Sequence, residues 1–381
     1  MQTPRPPSCL PVALLLLCAA PLAHAQQQQQ ELVVRIAHVG PTSGPQAHYG
    51  KDNENGVRMA LDDLNARGVA IGGRKARFVL LAEDDAADPK QATAVANKLC
   101  DTRVNGIVGH LNSGTALPAS RVYNGCGIPH VAPGATNPKL TQNGYKTSFR
   151  VLADDNALGA GLARQAARMQ LKTVAIVDDR TAYGQGVAQV FRAAARELGM
   201  QVVDEQFTTD KAMDFSAILT TMKAKAPDAV FYGGMDNQAG GMLRQMEQLG
   251  MANVKFFGGD GVCTEQLPGL AGNAGTLRNV VCAEGGIAVE KMPGGAAWKA
   301  RYDAKFPGQF QVYSPYAYDA AMVIADAMVR AGSADPKAYG PALFQTDYTG
   351  VTGRIRFEPT GDLKDPEMTL FAYPAGKRKP L

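Results

Sequence analysis

Short β-branched runs alternate with segments whose apolar residues recur every three or four positions, and the alternation extends over nearly the whole chain. The run VVRIAHV from Val33 reads as a buried strand, and Val57, Ala60, Leu61 and Leu64 after it fall on one helical face. The same signals return as ARFVLLA from Ala76 followed by Ala92, Val95, Ala96 and Leu99, with Asp88 and Pro89 suited to an N-cap and first turn. GIVGH, a helix to Tyr123 and IPHVAP from Ile128 continue the series. Strands that are apolar throughout and linked by helices predict a parallel sheet covered on both faces, a doubly wound α/β lobe.

From about Asp154 the series starts again, with a helix to Met169, TVAIVDD from Thr173, a helix carrying Val187, Val190, Phe191 and Leu198, and MQVVDEQF from Met200. It runs on through a helix around Ile218 and Met222, DAVFYGG, a helix with Met242, Leu243, Met246 and Leu249, and VKFFGGDG. Segments around Trp298 and over residues 316–329 read as further helices, and the tail TGRIRFEPTGDLKDPEMTLFAY as two strand-like runs about a turn. Strands of the first half lead into the loops GPTSGPQAHYG, GHLNSGT and APGATNP, and those of the second into DDRTAYGQG, GGMDNQAGG and GGDGVCT. Open α/β sheets bind ligands beyond the carboxyl ends of their strands. Two such lobes facing each other place all of these loops along one cleft.

Composition changes the picture first at the amino end. Residues 1–25 read as an export signal, with Arg5, the apolar core VALLLLCAA and AHA before Gln26. The apolar run is too short to span a bilayer. Lipid attachment at Cys18 is the rival reading, disfavoured by the leucine in LLLC where a small residue belongs. Residues 26–30, all glutamine, then form a solvated leader, and the remaining length suits two domains. The net charge of +4 is spread without a long basic run, so no nucleic-acid partner is expected. Cys9 and Cys18 leave with the signal, while Cys100, Cys126, Cys263 and Cys282 remain in an oxidising compartment. Parity permits three pairings. Closeness in sequence favours Cys100 with Cys126, one closing a helix and the other following the next, and Cys263 with Cys282 by elimination; a zinc site lacks any CxxC pair.

The loops are poor in reactive groups. Ser113 lies in HLNSG, where leucine takes the first glycine position of a nucleophile elbow, and the mature histidines, His38, His48, His110 and His130, all belong to the first half. No phosphate loop occurs, and YGQG lacks the third glycine of a dinucleotide fingerprint. Ser113, Thr115 and Thr136 bring hydroxyls beside glycines and a helix start, a combination suited to a carboxylate or to plain helix capping. Asp260, between Gly259 and Gly261, can pair a cation or stabilise a turn. Tyr49, Tyr183, Met235 and Tyr313 can wall a pocket or serve as packing.

VGPTSGPQAHYG, EDDAADPKQATAVANKL, GHLNSGTALPAS, APGATNP, AIVDDRTAYGQG, FYGGMDNQAGGMLRQM, FFGGDGV and EPTGDLKDPE, in that order, resemble the periplasmic branched-chain amino-acid-binding proteins of ABC importers. The resemblance implies a type I periplasmic binding fold, two Rossmann-like doubly wound lobes joined by three crossovers near residues 151–154, 283–285 and 348–350. It places residues 31–152 and 284–348 in an N-terminal lobe and residues 153–283 and 349–381 in a C-terminal lobe. It also implies that Ser113, Thr136 and amides around Ala135 hold a ligand carboxylate, that the Gly134 carbonyl and Asp260 hold an α-ammonium, and that Tyr49 and Tyr183 line the site. Two departures bear on specificity: Met235 stands where an aromatic is usual, and Asp260 where glutamate is. Asn112 and Ala87 stand where some relatives carry a cysteine pair. The implied protein is a periplasmic, monomeric binder of an aliphatic, branched-chain type L-amino acid that serves a membrane permease, with no cofactor, metal or turnover. A binder of an amide or aromatic acid and an exported serine hydrolase are the alternatives.

Overall fold

The apolar runs become two separate sheets. The computed structural model describes residues 1–4, 31–272 and 275–381. The export signal beyond residue 4 and the glutamine leader, with Cys9 and Cys18, lie outside the described residues. In the first sheet, β1 (Leu32–Gly40), β2 (Ala70–Ile71), β3 (Arg74–Asp84), β4 (Gly106–Gly109), β5 (His130–Ala132) and β6 (Ser148–Arg150) are ordered β2-β3-β1-β4-β5-β6. All pairs but β2 with β3 are parallel. Between them run α1 (Ala47–Ala66), α2 (Pro89–Thr102), α3 (Ser113–Cys126) and the short α4 (Lys139–Gln142).

The chain then crosses to α5 (Asp155–Arg168) and to β7 (Thr173–Asp178), α6 (Ala182–Glu197), β8 (Gln201–Phe207), α7 (Ser216–Lys223), β9 (Ala229–Gly233), α8 (Asp236–Gln248), β10 (Lys255–Gly258), the short α9 (Leu267–Leu270) and β11 (Val280–Glu284). These strands pair in parallel in the order β11-β10-β9-β7-β8. The chain returns through α10 (Gly295–Lys305) and α11 (Ser314–Ala331), which pack on α1, and α12 (Pro336–Leu343). Two strands, β12 (Asp347–Thr349) and β13 (Arg354–Arg356), form a separate antiparallel pair, and β14 (Thr369–Ala372) and β15 (Lys379–Pro380) extend the second sheet beyond β11.

Local chemistry sets several boundaries. Asp88 accepts the amides of Lys90 and Gln91 to start α2 ahead of Pro89, and Arg103 ends it in the left-handed region at φ 53°. Asp154 caps α5 through the Ala157 amide, and Thr181 caps α6 through Gly184. The crossing at 151–154 and the one after Glu284 run side by side, with the Ala153 amide on the Gly285 carbonyl at 3.2 Å.

The tail departs from its sequence reading. Its two strand-like runs do not pair with each other, because β13 bonds to β12 while β14 bonds to β11. Residues 357–362 stay on the first lobe: Phe357 packs edge-on to Phe149, the Gly361 carbonyl accepts the Arg150 amide, and Asp362 pairs with the buried Arg150 guanidinium. The chain runs from these contacts to β14 of the second sheet, which starts at Thr369. The disulfides are Cys100–Cys126, tying α2 to α3 with Cα atoms 6.0 Å apart, and Cys263–Cys282, tying the loop after β10 to β11 at 5.3 Å.

Candidate functional site

The loops beyond β4, β5, β7, β9 and β10 meet at a small cavity between the lobes. Leu111, Asn112, Ser113, Gly134, Tyr183, Met235, Asp260, Gly261 and Tyr313 wall it. Six sequence candidates, Ser113, Gly134, Tyr183, Met235, Asp260 and Tyr313, are thus brought together. Tyr49 closes the cavity from behind, its hydroxyl donating to the Gly261 carbonyl at 2.7 Å. Ala135 and Thr136 follow Gly134 in the same loop, both fully buried.

On the first lobe the cavity faces the start of α3. Asn112 is the N-cap residue but supplies no capping side-chain bond, so the first amides of the helix are left for another acceptor. The Ser113 hydroxyl oxygen accepts the Asn137 amide at 3.1 Å, which leaves its proton free to donate. The Thr136 hydroxyl is buried. Thr115 departs from the expectation: its hydroxyl donates to the Asn112 carbonyl at 3.0 Å and is absent from the cavity wall, so it steadies its own helix.

The second lobe presents acids. Asp260 is 1 % exposed and forms no ion pair among the described residues; its Oδ1 accepts the Gly261 amide at 3.1 Å. Burial pushes its carboxyl up to about 6, against the opposing hydroxyls of Tyr183 and Tyr313. Asp155, which follows the cap of α5, was not among the sequence candidates. It is fully buried, and burial drives it well above the usual carboxylate range against the opposing Thr136 hydroxyl, with Asp260 adding to the shift. Its amide bonds the Thr136 carbonyl at 2.9 Å, which fixes it beside the carboxylate-binding loop. The sequence signal was present as the doubled acid Asp154–Asp155, of which capping needs only the first.

Glycine is required where the walls close. A Cβ at Gly261 would meet Met235 Sδ at 2.7 Å and the Gly234 carbonyl at 2.8 Å, and one at Gly259 would meet the Tyr183 hydroxyl at 2.4 Å. That hydroxyl also accepts the Gly261 amide at 3.0 Å. Further bonds join the lobes at the rim, His48 Nε2 with Asp236 Oδ2 at 3.0 Å and Asn137 Nδ2 to the Ala182 carbonyl at 2.7 Å. The arrangement offers hydrogen-bond donors on one side, buried carboxylates on the other and apolar walls between. It contains no nucleophile paired with a base, since the buried histidines bond elsewhere or have no partner: His110 bonds Asp85 and Tyr123, His130 bonds Ser148 and the Gly109 carbonyl, and neither nitrogen of His38 is bonded.

Residues 33–377 match the sequence profile of a family described as periplasmic binding protein. The chain is 32 % identical over 346 residues to the leucine-, isoleucine-, valine-, threonine- and alanine-binding protein of Pseudomonas aeruginosa, covering 89 % of this chain and 90 % of that one. It is 34 % identical to the leucine-specific-binding protein of Salmonella typhimurium, over 90 % of this chain and 91 % of that protein. Among solved structures it resembles the branched-chain amino acid transporter substrate binding protein LivJ from Streptococcus pneumoniae, in complex with isoleucine, with a TM-score of 0.83, 25 % identity and coverage of 91 % and 98 % of the two chains.

Proposed function

This chain belongs to the periplasmic binding protein family, in its Leu/Ile/Val-binding branch, and from that premise we propose that it captures an L-α-amino acid with an aliphatic stem between its lobes and hands it to an ABC importer permease. In this reading it is exported, with its signal cleaved after Ala25, and acts in the periplasm as a monomer without turnover. The observation that carries the reading is the polarity of the cavity, with the start of a helix and the Ser113 and Thr136 hydroxyls on the first lobe and, on the second, the buried carboxylates of Asp155 and Asp260, which have no ion-pair partner among the described residues.

The α-carboxylate accepts from the first amides of α3 and the two hydroxyls. The ammonium takes the Gly134 carbonyl, Asp260 and Asp155, and its positive charge offsets the cost of burying two carboxylates. Because Asp260 and the carboxylate pocket stand on different lobes, a single zwitterion bridges them and favours the closed form. Tyr49 and Tyr183 hold the Gly261 backbone from both sides and so aim Asp260. Leu111, Met235 and Tyr313 pack on the stem of the side chain.

Calorimetry against amino acids, their amides and their keto acids tests this. Asp260→Asn keeps the shape but removes the charge, and the expected loss is about 1.5–3 kcal/mol of binding free energy; Ser113→Ala loses about 0.5–1.5 kcal/mol, because the helix amides remain. Keto acids that bind as tightly as amino acids, or a neutral Asp260→Asn, refute the α-amino-acid reading. Ester hydrolysis abolished by Ser113→Ala would establish an enzyme instead.

A further inference from the structure

The head-group cavity adjoins a second, larger chamber of about 400 Å³ that opens to solvent, and Asn112, Tyr183 and Met235 wall both. Two of its wall residues carry buried polar atoms without a partner. Asn112 donates its amide to Gln46 Oε1 at 2.7 Å, while its Oδ1 is buried without a partner. Asp179, 2 % exposed, uses Oδ1 for the amide and hydroxyl of Thr181 at 2.9 and 2.6 Å, while its Oδ2 is buried without a partner. Both unused groups are hydrogen-bond acceptors. The adjacent cation does not satisfy them, since Arg180 lies over the Phe207 ring at 4.0 Å with its Nε 3.7 Å from Asp178.

The sheet register fixes how far this chamber is from the ammonium site. Val177, Tyr232 and Gly258 share one rung across β7, β9 and β10. Asp179 directly follows β7 and Asp260 stands in the turn after β10, with β9 between the two strands, so the strands that carry them are roughly 10 Å apart. A ligand whose ammonium sits on Asp260 therefore reaches Asp179 with a side chain of about four or five heavy atoms plus a hydrogen bond at each end. An aliphatic tip ending there leaves Asn112 Oδ1 and Asp179 Oδ2 buried and unpaired, whereas an N–H donor satisfies them.

We propose that the preferred ligand carries a nitrogen-borne hydrogen-bond donor, an ammonium or a primary amide, at the end of its aliphatic stem, and that Asn112 and Asp179 read it. This rests on the α-amino-acid reading above and narrows it, setting donor-tipped side chains ahead of plain aliphatic ones of the same length. Burial supports the assignment, holding the Asp179 carboxyl up at about 6 in the absence of a cationic partner.

The test is calorimetry of the mature protein with paired ligands, glutamine against methionine for the amide and ornithine or lysine against norleucine for the ammonium, with alanine as the head-group control. At least one donor-tipped ligand is expected to bind ten-fold or more tighter than its apolar partner at pH 7.5, and the arm that does so identifies the donor. Asn112→Leu and Asp179→Asn are each expected to reduce that ratio to below three-fold. A purely structural role for either residue would lower both affinities and leave the ratio intact, which would overturn its assignment. If methionine and norleucine bind as tightly as their partners while alanine binds, the donor proposal falls and the α-amino-acid reading stands. If none of the amino acids binds, both fall.

Discussion

Asp260 carries the pH behaviour of the site. Its carboxyl is held up at about 6 by burial, and an ammonium ligand pairs only with the ionised form. Affinity is therefore full above that value and falls as the pH drops through it, approaching tenfold per pH unit once the free protein is protonated. Titration calorimetry between pH 5 and 8 checks the slope, and Asp260→Asn is expected to reduce it, the remainder coming from Asp155, which burial also raises; a wild-type affinity independent of pH over that range would show that Asp260 does not hold the ammonium. At this scale the sequence marked polar residues that stand near glycines at strand ends, and the fold buries Ser113, Thr136 and Asp260 around one cavity and its loops. Of the two roles open to Thr115, the fold shows the local one, its hydroxyl turning back onto the Asn112 carbonyl at 3.0 Å. Asp155 went unread because an acid at the start of a helix is a common capping signal, and only the fold shows that Asp154 already caps.

Among the elements, the first sheet carries a burden that its hydrophobic pattern conceals. Strands β1 and β5 and the loop after β4 bring His38, His130 and His110 into the core. Burial holds His38 and His130 down at about 4, against Glu54 and Asp85 in the first case and the Gly109 carbonyl in the second, with the His110 ring adding to the depression of both. A histidine depressed in the folded state contributes stability that is complete above its unfolded value near 6.5 and is lost as the pH falls towards 4. Between pH 7 and pH 4.5 the loss is on the order of 2–3 kcal/mol per histidine. His38 has no hydrogen bond to lose, so His38→Leu is expected to raise the urea midpoint at pH 5 and to shallow the acid limb of the stability curve. A variant less stable than wild type at pH 5 would contradict this. The longer helices and strands with apolar periodicity between Leu32 and Gly258 were readable, while the short β2, α4 and β6 were not. The tail was not, because β13 and β14 are short and each pairs with a strand distant in sequence, information that a local pattern does not contain.

For the molecule as a whole, the sequence conveyed the number of lobes and the direction of every ligand-facing loop, since both follow from the order of strands and helices. It could not convey how closely the lobes approach, because Tyr49 with Gly261 and His48 with Asp236 join residues about 200 positions apart and no periodicity marks them. Nor did it show that the segment carrying Gly361 and Asp362 returns to β6, where it meets Arg150. That return has a consequence for biosynthesis. The first sheet is finished at Arg150, yet its covering helix α11 begins only at Ser314 and the carboxylate for its one fully buried guanidinium arrives at Asp362. The second sheet gains β14 later still. Neither lobe is a contiguous stretch of message, and a ribosome must read past Asp362 before the first can close its core. A fragment ending at residue 152 is expected to give no cooperative unfolding transition by circular dichroism and to be digested rapidly by protease. Adding residues 284–368 in trans is expected to restore protection, so that the early part of the message acquires a stable product only in the company of a part translated much later.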